Sequence, residues 1–262
     1  MLLGAVQEMR IREGIELGNL TDVGCHRDEN QDAYCYAEPE SDQEFERKGR
    51  LAMVADGMGG YEGGAIASSI AVDVIRSSYA ASLSDDPEPA LVEALVAAHL
   101  AIRNYAKEHP QQSSMGTTCT AAVLRDGHLV YGHVGDSRLY LMRDGRITRL
   151  TRDMTVTERM VEQGLLRPEE VSCHPDRHVL TAAMGVGESV AAEFPLDPIA
   201  LAVNDILLLC TDGLHDLVGD EELLEVAGNN SAGDACKQLV AVANSRGGYD
   251  NITVQILKIQ PR

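Results

Sequence analysis

Apolar and polar residues change period several times along this chain, and each change predicts an element. Residues 51–55 (Leu-Ala-Met-Val-Ala) form an unbroken apolar run that stops at Asp56-Gly57. A run too short for a helix and ended by a breaker predicts a buried strand that delivers Asp56 to the rim of a sheet. Residues 206–210 end the same way, at Thr211-Asp212-Gly213, and Asp250 opens a strand pattern over 252–257. Strands are also expected at 14–22 and 33–37, with the polar cluster 24–32 between them as an exposed loop and the acidic stretch 38–50 as a solvated turn. Ile66, Ile70 and Val74 share one helical face; a second helix over 89–109 carries Leu91, Leu95, Ala98, Ile102 and Tyr105 as its buried stripe. His99 and His109 are expected on the surface or at the helix end.

From Met115 the period falls to two. Residues 117–124, 128–134, 138–142 and 147–150 predict a four-strand meander, joined by Asp-Gly hairpin turns at 126–127 and 144–145 and by Gly135-Asp136-Ser137-Arg138. Helices follow over 156–163, 220–227 and 232–243. Helices clustered between blocks of consecutive strands predict an α+β protein, in which two apolar-faced sheets packed together, with helices outside, would bury these runs. Residues 151–178 carry Pro168 and Pro175 and no continuous core pattern, so a flap lying over the sheet edge is expected at about 151–180.

Composition narrows the function classes. With 262 residues, 44% of them apolar, and no Pro, Gly or Ser linker, one domain is expected. A net charge of −19 argues against nucleic acid or an anionic membrane as partner, because both need clustered Lys and Arg. The six cysteines are scattered without a Cys-x-x-Cys pair, which predicts reduced thiols and a cytoplasmic setting. Residues 1–6 are too short an apolar run for a signal peptide, and no run approaches the roughly 20 apolar residues of a spanning helix.

Asp56, Asp212 and Asp250 would meet if their strands were antiparallel neighbours, because the end of one strand then lies beside the start of the next. Three carboxylates on one edge make a divalent-metal site, yet Asp-Gly is also a turn and cap dipeptide; the pattern alone leaves both open. The glycine-rich approach 57–64 could cradle phosphate through backbone N–H groups, but the Gly-Lys-Ser/Thr of a nucleotide loop is absent. His174 and His178 stand four apart, with Pro175 against a helical zinc pair.

Six motifs taken in order resemble the metal-dependent Ser/Thr protein phosphatases of the type 2C, or PPM, family, in particular its compact bacterial members. They are Arg27-x-x-Asn30-Gln31-Asp32, Asp56-Gly57-Met58-Gly59-Gly60, Gly116-Thr117-Thr118, Gly135-Asp136-Ser137-Arg138, Thr211-Asp212-Gly213 and Asp250-Asn251. The resemblance implies a central β-sandwich of two antiparallel sheets flanked by helices on both faces, with a two-metal centre at one end. It implies that Asp56 bridges two Mn²⁺ or Mg²⁺ ions, that Asp212 and Asp250 hold one and the Gly57 carbonyl the other, and that Asp32 acts mainly through coordinated water. Arg27 would grip the phosphate as a bidentate fork. The implied reaction is hydrolysis of phosphoserine or phosphothreonine by direct attack of a metal-bridging water, in a monomer whose partners are phosphorylated proteins and a Ser/Thr kinase or its targets. A catalytically silent phosphoprotein-binding module of the same fold is the alternative, and a nuclease is disfavoured by the acidic charge.

Three departures from the family pattern matter. Met58 stands where many animal members have a proposed general-acid His; Gln31 stands where they have Glu; the flap entrance reads Asp153-Met154-Thr155 where bacterial relatives often have Asp-His-Ser. Met154, Thr155 and His174 are the expected flap contacts. Without His at position 58, the leaving-group proton is expected from water on a weaker third ion, with Asp136 beside Asp212 as its ligand.

Overall fold

A computed structural model describes residues 11–59 and 63–261. The apolar run at 1–6 and Gly60 to Glu62 of the glycine-rich approach lie outside the described residues. In chain order the elements are β1 (Ile15–Asp22), β2 (Asp32–Ala37), α1 (Asp42–Lys48), β3 (Arg50–Met58), α2 (Gly63–Ala81), α3 (Pro87–Glu108), β4 (Gly116–Thr117), β5 (Cys119–Arg125), β6 (His128–Val134), β7 (Arg138–Arg143) and β8 (Arg146–Arg149). Then follow α4 (Val156–Glu162), β9 (Ile199–Ala200), β10 (Ile206–Cys210), α5 (Asp212–His215), α6 (Asp220–Asn229), α7 (Ala232–Ser245) and β11 (Ile252–Ile259).

The strands form two antiparallel sheets. One has the order β1-β11-β10-β7-β8, the other β2-β3-β5-β6-β9, with β4 beside β3. Period-two alternation explains why β3 and β10 look continuously apolar. In β3, Ala52 and Val54 point between the sheets while Leu51, Met53 and Ala55 point outward under α2 and α3. In β10, Leu207 and Leu209 face the inner layer, and Leu208 and Cys210 meet Leu223, Leu239 and Val240 of α6 and α7. A strand covered on both faces has no solvated side to mark with polar residues. Three apolar layers result, and the order is helices, sheet, sheet, helices.

Three expectations need correction. The four strands after Met115 are not one meander: β5 pairs with β6 and β7 with β8, but β6 and β7 belong to different sheets. Gly135 to Ser137 is therefore the crossing between sheets, while Asp126-Gly127 and Asp144-Gly145 are the hairpin turns, all four residues at positive φ. Residues 38–50 are not all turn; Ser41 caps α1 by accepting from the Glu44 N–H. Ile66, Ile70 and Val74 share one face of α2 as expected, half-buried against the core beside the fully buried Ala67, Ala71 and Ile75. His99 is 1% exposed inside α3, where its Nδ1 accepts from the Gly185 N–H at 3.1 Å.

Candidate metal centre

The crossing from β6 to β7 brings both sheets to one end of the sandwich, and five aspartates converge there. Asp32 opens β2 and stands directly opposite Asp56 of β3 in the strand register. Asp212 begins α5 immediately after β10, and Asp250 precedes β11, the neighbour of β10. Asp56 thus comes from one sheet and Asp212 and Asp250 from the other, so these three meet across the sandwich and not along one sheet edge. Asp136 lies in the crossing itself. Asp56, Asp136, Asp212 and Asp250 line one cavity of about 460 Å³ together with Arg27, Gly57 and Met58.

The surrounding motifs hold this arrangement. The Asp56 N–H donates to Thr118 Oγ1 at 2.9 Å, and its carbonyl accepts from the Thr118 N–H at 2.8 Å and from Thr117 Oγ1 at 2.9 Å. Thr118 Oγ1 lies 2.6 Å from Ser137 Oγ, which ties the rim of β3 to the crossing. Gly135 has φ +102° there, and a Cβ on it would stand 2.6 Å from the Thr118 side chain. At Gly57 a Cβ would come within 2.1 Å of the Gly64 carbonyl oxygen, so only glycine lets β3 pass the start of α2. Asn251 accepts from the Gln31 N–H at 2.8 Å and donates to the carbonyls of Val23 and Glu29 at 3.0 Å, holding the loop that carries Arg27.

Asp32 joins the two sheets. Its Oδ2 accepts from Thr211 Oγ1 at 2.8 Å and Thr253 Oγ1 at 2.6 Å, both from the facing sheet, while its Oδ1 is buried without a partner. Burial pushes the Asp32 carboxyl up to about 7 against those two hydrogen bonds, and Asp212 and Asp250 push the same way. Burial first, then the neighbouring carboxylates, raises Asp56 and Asp136 well above the ordinary range. Like charges this close repel in the absence of a compensating cation.

A family model for protein phosphatase 2C matches residues 27–245. The chain belongs to the protein phosphatase 2C family. It is 36% identical over 216 residues to the serine/threonine protein phosphatase PstP of Mycobacterium tuberculosis, a match that covers 80% of this chain and 40% of PstP. It is 32% identical over 251 residues to the protein phosphatase PhpP of Streptococcus pneumoniae, covering 94% of this chain and 98% of PhpP. The crystal structure of the PstP catalytic domain in complex with two manganese ions matches with a TM-score of 0.80 at 29% identity, covering 95% of this chain and 99% of that one. Fold and family are those of a serine/threonine protein phosphatase, with the sandwich expected from the motifs.

The residues of this site fit divalent cations. All five aspartates offer hard oxygen donors, and no cysteine lines the cavity. Asp212 Oδ1, like Asp32 Oδ1, is buried without a hydrogen-bond partner; leaving a buried acceptor unsatisfied costs about 1–3 kcal/mol, and more for a charged one. A cation meets that demand.

The expected flap residues lie in the 151–180 segment, and Thr155 lines a neighbouring cavity with Asp136, His178, Asp212 and Asp250. Met154 donates its N–H to the Gly135 carbonyl at 2.7 Å and accepts from the Thr181 N–H at 2.7 Å, and Thr155 is buried as the cap of α4. Both form the root of the 151–181 segment, and His174 accepts on Nδ1 from the Asp176 N–H at 3.1 Å. None of the three lines the cavity that holds Asp56; His178 and Leu180 do. Arg138 grips Asp153 through Nε at 3.0 Å and Nη2 at 2.6 Å, fixing that root to the crossing. His178 was not legible as a site residue, because it sits in coil and reaches Asp212 across the fold. Thr211 and Thr253 were hidden for another reason: threonine inside an apolar strand reads as β-propensity.

The raised carboxylates predict a stability profile. A folded pKa above the unfolded value of about 3.8 means that the folded chain keeps protons the unfolded chain releases. The stabilisation is full below about pH 4 and is lost as pH rises through about 7. The metal-stripped protein should therefore show a Tm that falls from pH 5 to pH 8, with Mn²⁺ restoring most at the upper end. Differential scanning fluorimetry with and without Mn²⁺ checks this, and a Tm that rises across that window without metal would contradict it.

Proposed function

We propose that this chain hydrolyses phosphoserine and phosphothreonine in proteins, and that its five converging aspartates hold the ions that the reaction uses. The buried, partnerless oxygens of Asp32 and Asp212 carry the reading. Asp56, Asp212, Asp250 and the Gly57 carbonyl would hold two Mn²⁺ or Mg²⁺ ions, and Asp32 would contribute through its buried oxygen that has no hydrogen-bond partner. Asp136, with Asp212, would hold a weaker third ion. When bound, the ions supply neutralising charge at the phosphoryl oxygens and a water acidic enough to attack at neutral pH.

Arg27 has the phosphate-binding role. Its side chain is 54% exposed at the cavity mouth, and Nη2 donates to Asp250 Oδ2 at 2.6 Å. A cation that takes up the Asp250 charge weakens this pair and frees the guanidinium fork for a phosphate. Arg27→Ala is expected to raise KM for a phosphothreonine peptide about 10- to 100-fold with kcat changed far less, since the fork holds ground state and transition state alike. Steady-state kinetics at saturating Mn²⁺ decides; a collapse of kcat at constant KM would give Arg27 a different task.

The segment 151–180 acts as a flap in a single phosphatase domain. It leaves and returns at one place, where the Val156 N–H donates to the Val179 carbonyl at 2.8 Å and Thr155 bridges Leu180. Six unpaired cysteines suit a reducing, cytoplasmic setting, and no described helix is long and apolar enough to cross a membrane. A monomer that opposes a Ser/Thr kinase is the simplest partner scheme. No aspartate of the constellation is replaced, so nothing favours the silent binding module. Assay with nitrophenyl phosphate and a phosphothreonine peptide, with and without Mn²⁺, tests the proposal: metal-independent turnover, or none at any Mn²⁺ concentration, overturns it.

A further inference from the structure

We propose that His178 is a protein ligand of a third cation, held together with Asp136 and Asp212, and that its nitrogen donor makes this site favour Co²⁺ or Zn²⁺ over Mg²⁺. The proposal rests on the reading of Asp136 and Asp212 as metal ligands and adds to it the donor that comes from the flap.

One ligand atom from each of Asp136, His178 and Asp212 lies within 4.8 Å of the other two. Asp136 is 7% exposed, and its carboxylate accepts no hydrogen bond among the described residues, although it points into the cavity. Asp212 adds the buried oxygen without a partner. A buried carboxylate and a half-buried one whose buried oxygen has no donor, turned toward one point, make a cation-binding arrangement that burial alone makes costly. His178 closes the third side. Its Nδ1 is 3.5 Å from Asp212 Oδ2, and its Nε2 is 3.5 Å from Asp216 Oδ2, both longer than a well-formed hydrogen bond. With Nδ1 on a cation, Nε2–H is left for Asp216, the carboxylate–histidine pairing that commonly fixes the tautomer of a metal-bound imidazole.

The backbone at His178 is held for this. The Val179 N–H donates to the Asp176 carbonyl at 3.0 Å, and Val179 accepts from the Val156 N–H, so the ring is presented from the flap's closing turn. A cation on all three residues would tie the flap to the sandwich. Imidazole is a borderline donor that suits Co²⁺ and Zn²⁺, whereas Mg²⁺ keeps oxygen ligands and water. Two carboxylates and one nitrogen therefore set this site apart from an all-oxygen core.

The test uses the purified chain, its His178→Ala and His178→Gln variants and Asp136→Asn. His178 is 44% exposed, so its replacement removes no core packing. Calorimetric titration with Co²⁺ should show a weakest site whose affinity falls about tenfold or more in both His178 variants, with the tighter sites unchanged and the Mg²⁺ titration unaffected. The Co²⁺ form should give a hyperfine-shifted exchangeable imidazole proton in the NMR spectrum that both variants lose. If Asp136→Asn removes the weakest Co²⁺ site and the His178 variants keep it, His178 is not a ligand, and any change in their turnover has another origin. If Asp136→Asn also leaves that site intact, the underlying reading of Asp136 fails as well. Retention of the shifted imidazole signal in His178→Ala would likewise overturn the assignment.

Discussion

Asp56→Asn is expected to lower kcat by about a hundred- to ten-thousand-fold and to weaken Mn²⁺ binding, yet to raise the Tm of the metal-stripped protein. The first two effects follow from charge, because on the proposed reading Asp56 is a carboxylate that helps keep two cations close, worth roughly several kcal/mol, and each 1.36 kcal/mol is about tenfold in rate. The third follows from the neighbours. Asp56 faces Asp32 in the strand register and shares the cavity with Asp136, Asp212 and Asp250, so a neutral amide removes repulsion that the empty site must bear. Asparagine has the same shape, and the backbone bonds of residue 56 to Thr117 and Thr118 do not involve the side chain. Stability and activity should therefore move in opposite directions, as at sites built for function at a cost in stability. Kinetics over a Mn²⁺ series and thermal melts after chelation measure both. Near-normal kcat at ordinary Mn²⁺ removes Asp56 from the site, and a lower Tm would trace the lost activity to misfolding.

The aspartates were legible because each interrupts an apolar run at its end, where a strand meets solvent. How the strands are shared between sheets was not. The crossing at Gly135 to Ser137 is as short as a hairpin connection, and β6 and β7 alternate like partners; that β7 pairs instead with β10, far along the chain, is a long-range choice that no local pattern carries. His99 was misplaced although its spacing from Leu95 and Ile102 puts it on the buried stripe, where hydropathy alone speaks against it. Asp32 was recovered through the family motif, but the two hydroxyls that occupy its Oδ2 come from a sheet that local pattern cannot place opposite it. Local signals located the strand ends, and long-range packing decided which ends meet.

Proton delivery gives the second large effect. Met58 lines the cavity at the position after Asp56-Gly57, and a thioether has no proton to give, while a serine or threonine alkoxide leaves poorly without one. On the proposed reading Asp136 organises the donor; it is buried, sits in the crossing between sheets, and lies within reach of Asp212 and His178. General-acid assistance contributes about a hundred- to ten-thousand-fold. Asp136→Asn should therefore cut turnover of a phosphothreonine peptide by about that factor, while nitrophenyl phosphate, whose leaving group departs as a stable anion, loses less than about tenfold. The contrast between substrates separates this role from a structural one, because a misfolded or metal-depleted core would slow both equally. Asp136 could instead be a turn residue whose carboxylate merely caps N–H groups of the crossing, but its side chain accepts no hydrogen bond among the described residues. Parallel assays of the two substrates at saturating Mn²⁺ decide the matter: equal losses on both, or an undiminished rate on the peptide, would remove Asp136 from proton delivery.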